Sequence, residues 1–326
     1  MSAYWPHHAG SVWGTVALLA ATLLEGYAVS RIRRVRVARL IAWTAVVAVV
    51  AGVERLNARE PPGVRMLAII GALLYAMKGV VAVEAAAQGA PALTAGRWLG
   101  FAALWPGMRP GPFARVGASP QAGAGRLAAG GLARGAAGLA LIASARMAWR
   151  GSGSPWLATV LLMPGLSLVV HFGAFDVLAG AWRRAGVDCK PLFRSPLRST
   201  SLAEFWGRRW NLAFSEMTTL ALYQPLVRRA GRRAALAASF LGSGLLHELA
   251  ISLPVRAGYG LPLGYFALHG TLVMIEGRLA KAGRAVDSQL WMGRAWTLGW
   301  VLTPLPILFH RPFLVGVIWP LIGIDP

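Results

Sequence analysis

The chain has 326 residues, 56% of them hydrophobic and only 14% charged, with a mean hydropathy of +0.54. A soluble domain carries about 25% charged residues, so the composition excludes one and indicates a polytopic membrane protein. Its 33 basic residues against 12 acidic ones leave a net charge of +21. Basic residues bordering apolar runs are what the positive-inside rule produces, so no nucleic-acid partner is expected. Only Lys78, Lys190 and Lys281 are lysines, and an arginine-dominated chain rich in glycine and alanine points to a GC-rich bacterial genome. The single cysteine, Cys189, excludes an internal disulfide and a thiolate zinc cluster.

About 20 apolar residues cross the hydrocarbon core as a helix. The first run, 12–29, is followed rather than preceded by arginines and lacks a cleavage site, so it reads as a retained span and not a signal peptide. Further spans are predicted at 38–53, 66–87, 127–149, 156–180, 234–253, 261–280 and 295–310, and a ninth short run, 313–324, contains Pro320. The expected fold is all-α, one integral membrane domain of eight or nine spans, with 1–150 giving N-terminal helices and 151–326 the motif-bearing region. No internal repeat is visible, which disfavours an inverted-repeat transporter.

The basic loops orient the chain. Arg31, Arg33, Arg34, Arg36 and Arg39 face no acid in 31–39, so that loop is expected in the cytoplasm, with the N-terminus outside, in a bacterial inner membrane. Alternation then puts the loop 181–210 inside and the turns at 150–155 and 254–260 outside. The stretch 211–227 lies between that basic loop and Arg228, Arg229, Arg232 and Arg233, and one crossing would strand one cluster. It holds Asn211, Ser215, Glu216, Thr218, Thr219 and Gln224, too polar to face lipid, so a re-entrant segment is expected. The short run 93–107, bordered by Arg97 and the acid-free stretch 109–126, is read the same way.

Buried polar groups are costly in a bilayer and mark candidate sites. Asp176 and His171 lie toward the cytoplasmic end of their span, where a structural role is expected. Lys78 is expected to snorkel or to pair with Glu25 or Glu84. His247 stands apart: on a helix starting near Ala234 it lies about 13 residues in, roughly 20 Å along the axis, too deep to reach water. Burial penalises imidazolium, so a neutral, proton-accepting nitrogen is expected there, as a general base requires; a plain interhelical hydrogen bond is the competing reading. A zincin site fails on spacing, because position 251 is isoleucine where a second histidine is needed, and no metal is expected.

Two motifs carry the functional reading: Phe205-Trp206-Gly207-Arg208-Arg209-Trp210-Asn211, and about 35 residues later Ser243-Gly244-Leu245-Leu246-His247-Glu248. With the Pro-Leu-Phe-Arg-Ser-Pro-Leu run at 191–197, they resemble the wax synthase branch of the membrane-bound O-acyltransferase superfamily. The resemblance is specific over about 170–250 and only architectural elsewhere. It implies acyl transfer from a thioester, commonly acyl-CoA, to the hydroxyl of a lipid alcohol, giving wax-type or sterol-type esters, with no cofactor beyond that substrate. His247 is then the base and Asn211 its partner, as oxyanion donor or orienter of the acyl group. Trp206, Trp210 and Glu248 are expected to line the substrate path. Arg194, Arg198, Arg208 and Arg209 lie where CoA phosphates would arrive, arginine forks suiting phosphate, although topology control accounts equally well for each. Two further classes remain open: a relative acylating a glycan or specialised-metabolite hydroxyl, and a non-enzymatic lipid transporter.

Overall fold

The computed structural model describes residues 2–117 and 119–324, which form helices and connecting loops with no strand among them. Six helices are long and apolar enough to cross a membrane. They are α1 (Ala9–Val29), α2 (Val35–Leu56), α3 (Pro62–Ala87), α5 (Ala124–Ser152), α6 (Pro155–Arg184) and the stretch Leu212–Val255, with a short α4 (Ala95–Ala102) between α3 and α5. In α3, 67% of the most apolar window is buried inside the protein, against 11–33% in the others, so α3 is the axis of the bundle and the rest present faces to lipid.

By length and apolarity the helices number six, or seven if a bent pair is one span, against the expected eight or nine. Runs 295–310 and 313–324 largely coincide with that pair, Leu290–Leu308 and Arg311–Ile322, bent by 70°. His310, at the break, accepts from the Phe313 amide and starts the second helix. The predicted span 261–280 is a helix, Leu261–Lys281, but it is less apolar than the six, because Glu276, Arg278 and Lys281 fall in its last turns.

The stretch Leu212–Val255 is not one straight rod. Gly231 has φ 79° and ψ 170°, a backbone open to glycine and strained for other residues, and the chain reverses there. Phe214 packs on His247 with ring centroids 4.8 Å apart, and Leu222 lies against Gly242. In a straight helix those partners would be about 50 and 30 Å apart. The stretch is therefore an antiparallel hairpin, α7 (212–230) and α8 (232–255). Leu261–Lys281, here α9, packs antiparallel to α8, with Gly244 against Leu263 and Phe266, and Gly270 against Phe240.

Contacts sort the loops into two ends. At one end, Arg31 donates to the Leu93 carbonyl, Arg39 forms a bidentate pair with Glu84 at 2.7 Å, Gln88 bonds Gln224, and Gly117 bonds Gly186. At the other, Glu60 holds residues 7–11, Arg256 donates to the Ala58 carbonyl, and Trp319 donates to Thr159. The loop at 31–39, the tip at Gly231 and the end of α6 thus share the basic end, while 57–61, the α5–α6 turn and 256–260 share the opposite one. Residues 181–210 are a surface loop only at first. From Cys189 the chain runs into the bundle, carrying Phe193 against His171 of α6. The arm 211–227 runs from the middle of the bundle outward without crossing it, as the polar sequence requires.

Lys78 holds the second re-entrant segment. It pairs with neither Glu25 nor Glu84. Fully buried, its Nζ donates to the carbonyls of Phe101 (2.9 Å), Trp105 (2.7 Å) and Gly107 (2.5 Å), with the Phe101 ring 4.0 Å below. An ammonium offers three donors, and all three are used. The helix α5 packs on α6 through small residues: a Cβ on Gly138 would sit 2.7 Å from the Gly165 carbonyl oxygen, and one on Gly131 2.9 Å from that of Gly173. Such residues let backbones approach in the absence of a hydrophobic driving force.

At the far end, burial raises the Glu60 carboxyl, but hydrogen bonds from Ser11, His7 and His8 outweigh it and bring its pKa down to about 2. A carboxylate depressed on folding stabilises above its unfolded pKa and loses that contribution as pH falls through the folded value. The native protein should therefore lose thermal stability relative to Glu60→Gln as pH is lowered from about 5 toward 2, in a detergent melting series. A second expectation concerns Lys78→Met, which leaves buried carbonyls unsatisfied at about 1–3 kcal/mol each. It should lower the melting temperature and open residues 103–110 to protease, and an unchanged digestion pattern would refute the anchoring role.

Candidate functional site

The motif 205–211 is built by local rules. Ser201 caps a single helical turn, Leu202–Glu204, and a π-helical turn follows at Phe205–Arg209. Trp210 is extended, and Asn211 adopts the left-handed region, φ 42° and ψ 65°. Asparagine is among the few residues that take this conformation readily, and here its Oδ1 accepts from the Phe214 amide at 3.5 Å, beginning α7. Its neighbours are pinned on both sides. The Arg194 amide donates to the Arg209 carbonyl and the Leu212 amide to the Leu192 carbonyl, 2.8 and 2.9 Å. Glu276 accepts from the Leu202 and Ala203 amides and from the Trp296 indole, fastening the motif to α9. Sequence reasoning gave Glu276 no such part; a carboxylate late in an apolar helix was the available signal.

His247 lies at the level of Phe214. Its Nδ1 is 2.7 Å from the Ser243 carbonyl oxygen. A carbonyl only accepts, so Nδ1 carries a proton, and in the neutral ring that burial favours Nε2 presents the lone pair. The ring is held between Phe214 (4.8 Å) and Phe266 (4.3 Å). Nε2 makes no protein hydrogen bond and is not among the buried polar atoms sealed without a partner, so it opens onto accessible space. The Asn211 Nδ2 amide is in the same position, unpaired and unsealed, its Oδ1 being the atom turned to Phe214. From Gln224 inward, Asn211 lies about 13 residues along the arm, roughly 20 Å deep. The re-entrant arm thus carries Asn211 inward, and Phe214, three residues on, reaches the His247 ring.

The other predicted residues divide. Trp206 enters an aromatic cluster with Phe266 (5.4 Å), His269 (5.3 Å) and Tyr265 (6.4 Å), and its indole N–H is buried without an acceptor. Trp210 stacks on Phe205 and meets Phe193 (4.9 Å) and His171 (5.7 Å). Glu248, expected on the substrate path, instead accepts from the Gly260 and Leu263 amides at 2.9 and 3.2 Å, closing the N-terminus of α9. One residue after His247 on a helix is about 100° away, which turns it from the ring. Arg209 is bound to Glu204 (2.7 Å) and to the carbonyls of Arg194 and Ser195. Neighbouring Arg209 and the Thr200 amide outweigh partial burial and hold the Glu204 carboxyl below its ordinary range. Arg194, Arg198 and Arg208 are exposed and remain available to an anion.

Cys189 begins the inward run, and its thiol is pushed up to about 12 by burial first, with Asp188 adding to it. Its residue is 1% exposed. It is a buried core side chain, an environment that keeps a thiol protonated and unreactive.

A polytopic helical membrane protein with a buried unprotonated imidazole nitrogen and an unpaired amide in one layer has the equipment for proton abstraction and carbonyl binding. Residues 189–267, which hold both groups, match the Membrane bound O-acyl transferase family. The chain is similar to the wax synthase branch of that superfamily. A long-chain-alcohol O-fatty-acyltransferase of Simmondsia chinensis is 35% identical over 156 residues, 43% of this chain and 44% of that protein. The probable long-chain-alcohol O-fatty-acyltransferase 6 of Arabidopsis thaliana is 32% identical over 139 residues, 37% and 40% of the two chains. The probable long-chain-alcohol O-fatty-acyltransferase 7 of the same plant is 34% identical over 131 residues, 36% of each. The chain matches less than half the length of these relatives.

Because Glu248 caps a helix, Glu248→Ala should cost stability, about 1 kcal/mol or somewhat more for a lost cap. Its effect on any activity of the site should be under threefold when assayed below the melting point; a hundredfold loss in a stably folded variant would return Glu248 to the site.

Proposed function

We propose that this protein is an integral membrane O-acyltransferase that transfers a fatty acyl group from acyl-CoA to a long-chain alcohol, giving a wax-type ester and free CoA. The observation that supports the reading is that Phe214, whose amide donates to Asn211 Oδ1, stacks on the His247 ring, whose Nδ1 is held by the Ser243 carbonyl. An alcohol hydroxyl has a pKa far above 7, so attack on a thioester needs a base at the moment of bond formation. His247 Nε2 takes that proton, and the amide of Asn211 donates to the thioester carbonyl as charge develops on its oxygen. Arg194, Arg198 and Arg208 supply phosphate-binding forks at the entrance, whereas Arg209 acts by bracing the motif. The chemistry calls for no cofactor beyond the acyl-CoA substrate, and the other partners are the alcohol and the surrounding lipid.

In this reading the basic end faces the cytoplasm of a bacterial inner membrane, where acyl-CoA is made, and the N-terminus lies outside. The relatives named above are plant proteins; the bacterial reading comes from the arginine-, glycine- and alanine-rich composition. Introduced cysteines test the sidedness without interference from the buried thiol at 189. Ala230→Cys at the hairpin tip should react with a membrane-impermeant maleimide only after the cytoplasmic face is opened, and Tyr259→Cys before. The reverse pattern would invert the assignment.

The activity is tested with purified protein, radiolabelled palmitoyl-CoA and hexadecanol, reading ester and released thiol. His247→Ala should reduce turnover by about 10² to 10⁴ or more with monodispersity unchanged; activity within threefold of native would end the assignment. Asn211→Ala should lower kcat with little change in KM for the thioester, since an interaction made chiefly in the transition state is lost. A pure rise in KM would make Asn211 an entrance residue.

A further inference from the structure

The structure contains a second imidazole at this layer that sequence reasoning left as structural. His171 sits in a π-helical turn, Leu168–Ala174, within the otherwise α-helical α6. Such a turn inserts one residue and shifts the side-chain register, and it recurs at functional sites. The His171 ring lies 4.7 Å from Phe193 and 5.7 Å from Trp210, the residue preceding Asn211. It is about 13 residues from the Arg184 end of α6, roughly 20 Å along the helix.

Its hydrogen bonding differs from that of His247: the partner is a hydroxyl rather than a carbonyl. Nδ1 of His171 is 3.1 Å from Ser167 Oγ, and that hydroxyl has no other partner. Were Nδ1 protonated, the serine proton would lack an acceptor. The satisfied arrangement has Ser167 Oγ–H donating to Nδ1, which leaves the ring proton on Nε2. That Nε2–H has no protein partner and is not sealed. The remaining buried histidines differ. His310 has both ring nitrogens engaged, with Ser252 and the Phe313 amide, and the free nitrogen of His269 is enclosed by protein.

Resting on the acyl-transfer reading, we infer that His171 is a further catalytic residue, whose Nε2–H donates to the reacting thioester carbonyl together with the Asn211 amide. The layer then presents one acceptor, His247 Nε2, and two donors, which is the complement acyl transfer uses. The alcohol proton passes to His247 as its oxygen bonds to the carbonyl carbon. The carbonyl π pair moves onto the oxygen, held by Asn211 and His171. Collapse restores the carbonyl and breaks the C–S bond, and the departing thiolate takes the proton from His247. Ester and thiol form with no oxidant or reductant.

The test uses the full-length protein in detergent, palmitoyl-CoA as donor, and thiol release measured with hexadecanol and with water alone, so that the choice of alcohol does not mask the donor half of the reaction. His171→Phe keeps a ring without the donor and should lower kcat by about 10²–10³, with KM for palmitoyl-CoA within threefold and melting temperature near native. His171→Asn, which restores an N–H donor, should recover at least tenfold of that loss. Ser167→Ala frees the tautomer and should fall between native and His171→Phe. If His171→Phe retains activity within threefold while His247→Ala is inactive, the role of His171 is refuted and the acyl-transfer reading stands. If His171→Phe and His171→Asn lose activity equally, at native stability, the ring acts through shape and the donor role is refuted. If the native protein releases no thiol under either condition, the acyl-transfer reading fails, and this inference with it.

Discussion

The three hydrogen bonds from Lys78 to the carbonyls of Phe101, Trp105 and Gly107 are the constraint on which the interior depends. Irregular backbone is tolerated at membrane depth only where its polar groups are satisfied by protein or water, and the chain from 103 to 110 is irregular. The ammonium meets that requirement at Trp105 and Gly107 and the Trp182 indole at Leu104, and once the segment is fixed its next residues serve the neighbouring arm. The Met108 amide donates to Glu216 at 3.2 Å, and Arg109 pairs with the same carboxylate at 3.2 Å. One re-entrant segment thus holds the other, and the second carries Asn211. The link from α3 to the proposed chemistry runs through two carboxylate contacts and one lysine.

The hairpin at Gly231 accounts for the geometry of the site. A one-residue reversal lays α7 back along α8, which brings the two distant motifs side by side. Phe214 is the mechanical connection: it follows the asparagine by one helical turn and stacks on the imidazole. Aromatic stacking fixes the plane of the base, and the Ser243 carbonyl fixes its tautomer. Burial contributes a low dielectric, in which a donor aimed at developing charge is worth far more than in water.

Much of this was legible in the sequence because lipid imposes simple rules. Apolar runs gave most helices, charge asymmetry gave the pairing of loops, and the density of polar residues in 211–227 showed that it does not cross. His247 and Asn211 stood out by depth and by motif. What was not legible depends on contacts between distant segments. Nothing local told that Glu248 would cap α9, twelve residues on, or that Arg209 would be consumed by Glu204. Lys78 looked like half of an ion pair because carbonyls leave no mark in a sequence. The 70° bend near 310 hid because each half reads as a plausible short run. His171 was discounted since a π-helical turn, which decides where its ring points, has no clear sequence signature.

Lys78 also sets an order for biogenesis. Its three acceptors belong to residues 101–107, so the ammonium is synthesised up to 29 positions ahead of the last of them. At about 5–20 residues per second, α3 waits roughly 1–6 s with an uncompensated charge near its middle. Glu84 has no such interval, because Arg39 already stands in the preceding helix. Until the chain behind it folds back, the ammonium has none of these three carbonyls to bind. The axis of the bundle is therefore made before the segment that completes it.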